Sequence, residues 1–123
     1  MSFSLSFIDD ADWLVAVSKG EISSLDALVD QLKRVFERAV AFGRKRVLLY
    51  DRDLALRVDA LDIATAASMQ EEQGTAQLGM RLACVCDPAC RPVYAMMETM
   101  LRNRSISYRL FAQEDEALAW LSD

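Results

Sequence analysis

The run Val47-Leu48-Leu49-Tyr50 most constrains what this chain can fold into. It is entered through the basic triplet Arg44-Lys45-Arg46 and left through Asp51-Arg52-Asp53. A half-exposed strand alternates apolar and polar residues, whereas an unbroken apolar run implies that both faces are covered. Strands of that kind belong to parallel sheets with helices packed on them. In open sheets of this type, ligands sit beyond the carboxyl ends of the strands. The expectation is therefore an α/β chain with this strand near the sheet centre and a functional edge just after it.

The rest of the chain supplies partners for such a strand. Ser2 to Asp9 alternates, with Phe3, Leu5 and Phe7 on one face and serines on the other, which is the mark of a half-buried strand. Asp9-Asp10-Ala11-Asp12 reads as a turn and Trp13 to Ser18 as the returning strand of a hairpin, broken at Gly20. Leu25, Leu28, Val29, Leu32, Val35, Phe36, Ala39 and Val40 then recur at spacings of three and four, an apolar stripe over four helical turns. Ser23 with Asp26 resembles a capping box, and Gly43 stands where a C-terminal cap belongs.

After Tyr50 the sequence predicts a loop and then a helix from Ala60 to Gln73, capped by Asp59. Ala60, Ala64, Ala66, Ala67 and Ser68 leave this helix little bulk, suited either to close packing on the sheet or to a flat docking surface. Met80 to Cys86 reads as a strand, Asp87-Pro88-Ala89 as a turn, and Pro92 to Asn103 as a helix striped by Val93, Met96, Met97, Met100 and Leu101. Ser107 to Phe111 is a short last strand. Three acids, Glu114 to Glu116, open a closing helix where the helix dipole favours negative charge. The order is β-β-α-β-α-β-α-β-α, one domain over 1–123 with a mixed sheet of about five strands and helices packed against it.

Composition narrows the function classes. The 14 basic and 19 acidic residues give a net charge of −5, which speaks against nucleic acid and anionic membranes as partners. No apolar run approaches the roughly 20 residues of a membrane span, and the N-terminus lacks the basic start of a signal peptide. Three cysteines, an odd number, fit a reducing cytoplasm better than a disulfide scaffold. The absence of histidine removes the commonest general base and most zinc sites.

Few residues could carry chemistry. Asp9-Asp10 with Asp51 suggests the Mg²⁺ site of a receiver domain, but a strand rather than a helix follows the acidic pair, and no lysine occurs after Lys45. Cys84, Cys86 and Cys90 form C-x-C-x3-C without the fourth ligand that zinc requires, so the pair in the strand reads as apolar filler. Cys90, beside Arg91 at a helix start, is the one with grounds for reactivity. The methionines could line a groove or fill core. No cofactor or metal is implied. The best candidate site is the charged rim Asp51, Arg52, Asp53, Arg57, Asp59, Asp87 and Arg91, expected in the loops after the third and fourth strands.

The pattern resembles the STAS domain of sulfate transporters and anti-sigma-factor antagonists. More closely, it is similar to uncharacterised bacterial proteins grouped with the sporulation anti-anti-sigma factor. The matching pieces are Gly20-Glu-Ile22 after the hairpin, the long first helix, Arg46-Val-Leu-Leu-Tyr-Asp51, and Glu116-Ala-Leu-Ala-Trp-Leu121. Antagonists of this family carry D-S-S-G at the start of the second helix, with the first serine phosphorylated by the partner kinase. Here Asp59-Ala60-Leu61-Asp62 stands in that place, and Ala60 has no hydroxyl.

The resemblance thus implies a non-enzymatic, cytoplasmic interaction module without that phosphoswitch. It would use Asp59, Ala60, Ala64 and the neighbouring charged rim to bind a protein or a second copy. The alternative is a carrier of a small apolar molecule or lipid, as related lipid-binding domains suggest.

Overall fold

The computed structural model describes residues 2–10 and 12–123; Met1, and Ala11 of the expected turn, lie outside them. Two strands, β1 (Phe3–Asp10) and β2 (Trp13–Ile22), lead into α1 (Leu25–Phe42). Then follow β3 (Arg46–Leu56), α2 (Ala60–Glu72), β4 (Arg81–Cys86), α3 (Arg91–Arg102), β5 (Ser107–Phe111) and α4 (Glu114–Ser122). Short 3-10 turns at Thr75–Leu78 and Pro88–Cys90 fill two of the connections.

The five strands lie in sequence order, β1 antiparallel to β2 and all later pairs parallel. Right-handed crossovers that always step the same way place their helices on one face. Accordingly α1, α2 and α3 share the main core with Leu14, Ala16, Val47, Leu49 and Leu82. Among the described residues the other face has only α4, whose Ala117 and Leu121 bury Leu48, Ala83 and Val85. Val47, Leu48 and Leu49 are thus buried from both sides, as the apolar run demands, while Tyr50 is half-buried.

Capping differs from expectation at α1. Ser24, not Ser23, is the N-cap, its side chain accepting from the Ala27 amide. The capping box belongs instead to α2. There the Asp62 amide donates to Asp59 Oδ1 at 2.8 Å and the Asp59 amide reaches back to Asp62 Oδ2 at 3.4 Å. Gly43 adopts a left-handed φ of 66° and closes α1, as its position suggests.

Two strands run further than the local pattern indicates. Gly20 does not end β2; with φ at +107° it bends the strand, which continues to Ile22. A Cβ at this position would stand 2.5 Å from the Ser2 carbonyl oxygen, so only glycine lets β1 and β2 approach here. β3 likewise continues to Leu56, so Asp51, Arg52 and Asp53 lie inside the strand rather than in a loop beyond it. The reason is a register shift: Val17 pairs with Tyr50 but Lys19 with Asp53. Asp51 and Arg52 together stand opposite Ser18, a β-bulge that reverses the inward phase of β3. Before it Val47, Leu49 and Asp51 point into the main core; after it Leu54 and Leu56 do.

Candidate functional site

The structure separates the residues of the charged rim. Arg52 reaches over the α4 face of the sheet, donating from Nη2 to the Ala112 carbonyl at 2.7 Å. Arg57 lies 3.4 Å from Glu21 of β2. Asp59 and Asp87 cap the segments that follow them, Asp87 Oδ1 accepting from the Ala89 amide at 3.0 Å. Asp53 and Arg91 are exposed. Because the strand order never reverses, no crevice opens between helices departing to opposite faces, and the strand-end edge is a surface rather than a cleft.

Asp51 leaves the rim altogether. It is 2 % exposed and sits at the centre of a polar knot in the main core. Tyr94 of α3 donates its hydroxyl to Asp51 Oδ2 at 2.8 Å, and Gln31 of α1 reaches the same oxygen at 3.5 Å. Gln31 Nε2 also donates to Ser18 Oγ at 3.0 Å, while Asp51 Oδ1 finds no partner among the described residues. Burial pushes the carboxyl up to about 6, against the downward pull of the Tyr94 and Gln31 hydrogen bonds. The neighbouring Tyr94, Tyr108 and Cys84 are pushed well up by burial as well, and the Asp51 charge adds to each. Burial also raises Cys86, to about 11, which suits the reading of the strand cysteines as apolar filler.

The carboxylate has almost no surface open to solvent. The knot ties β2, α1, β3 and α3 together, and its chemistry is positional. Reading the sequence misses Gln31 because a polar residue flanked by Leu28, Leu32 and Val35 looks like the edge of an apolar stripe. In fact it is 5 % exposed.

What stays open on the strand-end side is the start of α2. Ala60 is exposed and Ala64 half-buried, while Ile63, Ala66 and Ala67 pack into the core. Between them Leu61 is 74 % exposed, more than the other large apolar residues that stand out from the surface, Ile8, Val40 and Phe42. Reading the sequence misses Leu61 as well. The available signal is a bulky apolar residue in the first turn of an otherwise small-residue helix. The α3 methionines fill core: Met97 is buried, and Met96 and Met100 pack against the same cluster.

This architecture is the SpoIIAA/STAS-like fold, an α/β domain with a five-stranded mixed sheet and four helices. Two solved structures are similar to it over nearly their whole length. An anti-sigma factor antagonist from Mycobacterium paratuberculosis superimposes with a TM-score of 0.62 at 16% identity, covering 99% of this chain and 96% of that one. An uncharacterised protein of the DUF3478 family with a SpoIIAA-like fold, from Shewanella loihica, gives a TM-score of 0.57 at 14% identity, covering 98% and 94%. No protein-family model and no curated protein matches the sequence. The fold expected from the resemblance is therefore the fold observed. No helix among the described residues is long and apolar enough to cross a membrane.

Proposed function

We propose that this is a non-enzymatic, cytoplasmic interaction module that docks a protein partner through the start of α2. The observation that carries this reading is Leu61. Leaving a leucine 74 % exposed forgoes about 1–2 kcal/mol of burial, which a docked partner would recover. The Asp59–Asp62 capping box holds that first turn in place, so the apolar contact is presented without an ordering cost. Asp53 and Arg91, exposed on the same strand-end side, supply a charged rim.

The likeness to a protein described as an anti-sigma factor antagonist supports a role exerted through another protein. Ala60, at the place where the related antagonists carry the phosphorylated serine, leaves docking here without a phosphate switch. Asp51 is too deeply enclosed to serve as a catalytic acid or base, and the chain has no histidine, which supports the non-enzymatic reading.

The test is affinity capture from cells of the source organism combined with light-scattering mass of the purified protein. Leu61→Glu and Ala64→Glu keep a helix-compatible residue and leave the cap intact, unlike any change at Asp59. Both are expected to abolish capture of the partner, or the self-association if the partner is a second copy. Capture and mass unchanged in both variants would overturn this surface.

A further inference from the structure

The two edges of the sheet are built differently. β5, at one edge, is five residues long, and its Leu110 amide donates to Glu98 Oε2 of α3 at 2.6 Å. β1, at the other, runs for eight residues. From Phe3 to Ile8 it holds no charge and no proline, and it pairs with β2 from Phe3 to Asp10 without a shift of register. Edge strands are usually blunted by shortness, charge, proline or a bulge, because their free backbone groups accept a further strand. Up to Asp9, β1 has none of these.

The free backbone groups can be named. The Glu21 amide donates to the Ser2 carbonyl at 3.2 Å, and along an antiparallel ladder such bonded pairs alternate with unbonded ones. Ser4, Ser6 and Ile8 therefore bond to β2, while the N–H and C=O groups of Phe3, Leu5, Phe7 and Asp9 point outward. β2 is the only strand beside β1 among the described residues, so this outward row has no ladder to join. Two arginines of α1 lean over the same edge, Arg34 at 5.8 Å from the Phe3 ring centre and Arg38 at 4.5 Å from that of Phe7. Asp9 stands at the far end of the row, held by Arg44 at 2.7 Å.

We infer that β1 pairs antiparallel with β1 of a second copy of this chain, about a two-fold axis at Ser6, so that two sheets join edge to edge. In this register Phe3 lies opposite the partner's Asp9 and Leu5 opposite the partner's Phe7, and every outward group from Phe3 to Asp9 is bonded. Charge selects it. Arg34, over Phe3, meets the partner's Asp9, and symmetry repeats the contact. Moving the axis to Leu5 or to Phe7 would set Arg38 against the partner's Arg34 or the partner's Arg38 and would shorten the ladder. One added strand buries a small area, so a weak, micromolar dimer is expected. The edge shares no residue with the start of α2, and the two surfaces are tested separately.

The test is sedimentation of the purified protein across the micromolar range, with a dimer expected. Ser6→Lys changes an exposed side chain at the axis and sets two lysines face to face, so dimerisation is expected to weaken roughly tenfold or more. Leu61→Glu is expected to leave it unchanged. Oxidation reads the register. Ser6→Cys is expected to form an intermolecular disulfide under oxidised glutathione, because facing unbonded residues come within disulfide reach. Ser4→Cys, and the parent with its half-buried Cys90, are expected not to. A monomer throughout overturns the inference, as does a dimer that withstands Ser6→Lys or is lost in Leu61→Glu. Cross-linking of Ser4→Cys as fast as that of Ser6→Cys overturns it too. Should Ser6→Lys not fold, failure of Ser6→Cys to cross-link overturns it alone.

Discussion

Tyr94 Oη stands 2.8 Å from Asp51 Oδ2, joining the first turn of α3 to the middle of β3 through a carboxylate that has no cation beside it among the described residues. A buried charge held only by neutral donors costs stability whenever it is ionised. This pair therefore makes the fold sensitive to pH from within its core. The groups facing Asp51 are Gln31 of α1, Tyr94 of α3, Cys84 and Cys86 of β4, and Tyr108 of β5; none is basic.

The sign follows from linkage. The folded carboxyl, at about 6, lies above its ordinary 3.8, so the folded state holds the proton more tightly than the unfolded chain. The contribution is fully present below about pH 3.8 and is lost as pH rises through about 6. At about 1.4 kcal/mol per pKa unit, the loss by pH 8 is on the order of 3 kcal/mol. Asp51→Asn is expected to raise the midpoint of thermal unfolding at pH 8, by about 1–2 kcal/mol in stability because its new amide lacks a partner. The gain should fade towards pH 5. Parallel stability curves for the two proteins from pH 5 to 8 would contradict this account.

Tyr94→Phe acts in the opposite direction. It deletes the short hydrogen bond to the ionised form and leaves Asp51 with Gln31 at 3.5 Å. A loss of about 2–3 kcal/mol at pH 8 is expected, with the pH-dependent step moved above 6. Chemical denaturation at pH 5.5 and pH 8 measures both effects.

Gly20→Ala probes the bend in β2. At φ +107° a side chain is strained, and the new Cβ would collide with the Ser2 carbonyl. Destabilisation of about 2–4 kcal/mol is expected, with hydrogen exchange increasing first in β1. Exchange rates in β1 equal to those of the parent would refute it.

Arg81 clamps α4 to the sheet. Its guanidinium lies 4.3 Å over the Trp120 ring and donates to the Trp120 and Asp123 carbonyls at 2.6 and 2.8 Å. Arg81→Ala is expected to cost about 1–3 kcal/mol and to shift tryptophan emission to longer wavelength as the ring becomes wet. An unchanged spectrum would show that the apolar contacts of Leu121 and Ala117 hold the helix alone.

Much of the scaffold is legible in residue order because it rests on local period and punctuation. The stripe of α1, the Asp59 cap, Pro92 in the first turn of α3 and the acidic start of α4 all stand where the sequence places them. The candidate site was harder to read. The residues of the rim form in the sequence a set of charges following strands, but where each side chain goes depends on partners distant in the chain. Glu21 takes Arg57 and Ala112 takes Arg52, and neither contact leaves a trace in local pattern.

The stretch around Val47 shows where the boundary falls. Its composition alone determined that it would be a strand covered on both faces, since unbroken apolar residues cannot face water. The alternation Leu54-Ala55-Leu56 continues the strand, but out of phase with Val47 and Leu49. Only pairing with β2 resolves this, by setting two residues of β3 against Ser18. That one-residue slip turns Leu54 and Leu56 inward, while Asp51, still in phase with Val47 and Leu49, meets Tyr94 and Gln31 in the core. Side-chain direction in a strand has a period of two, so a single bulge, fixed by the neighbouring strand, decides which residues meet the core.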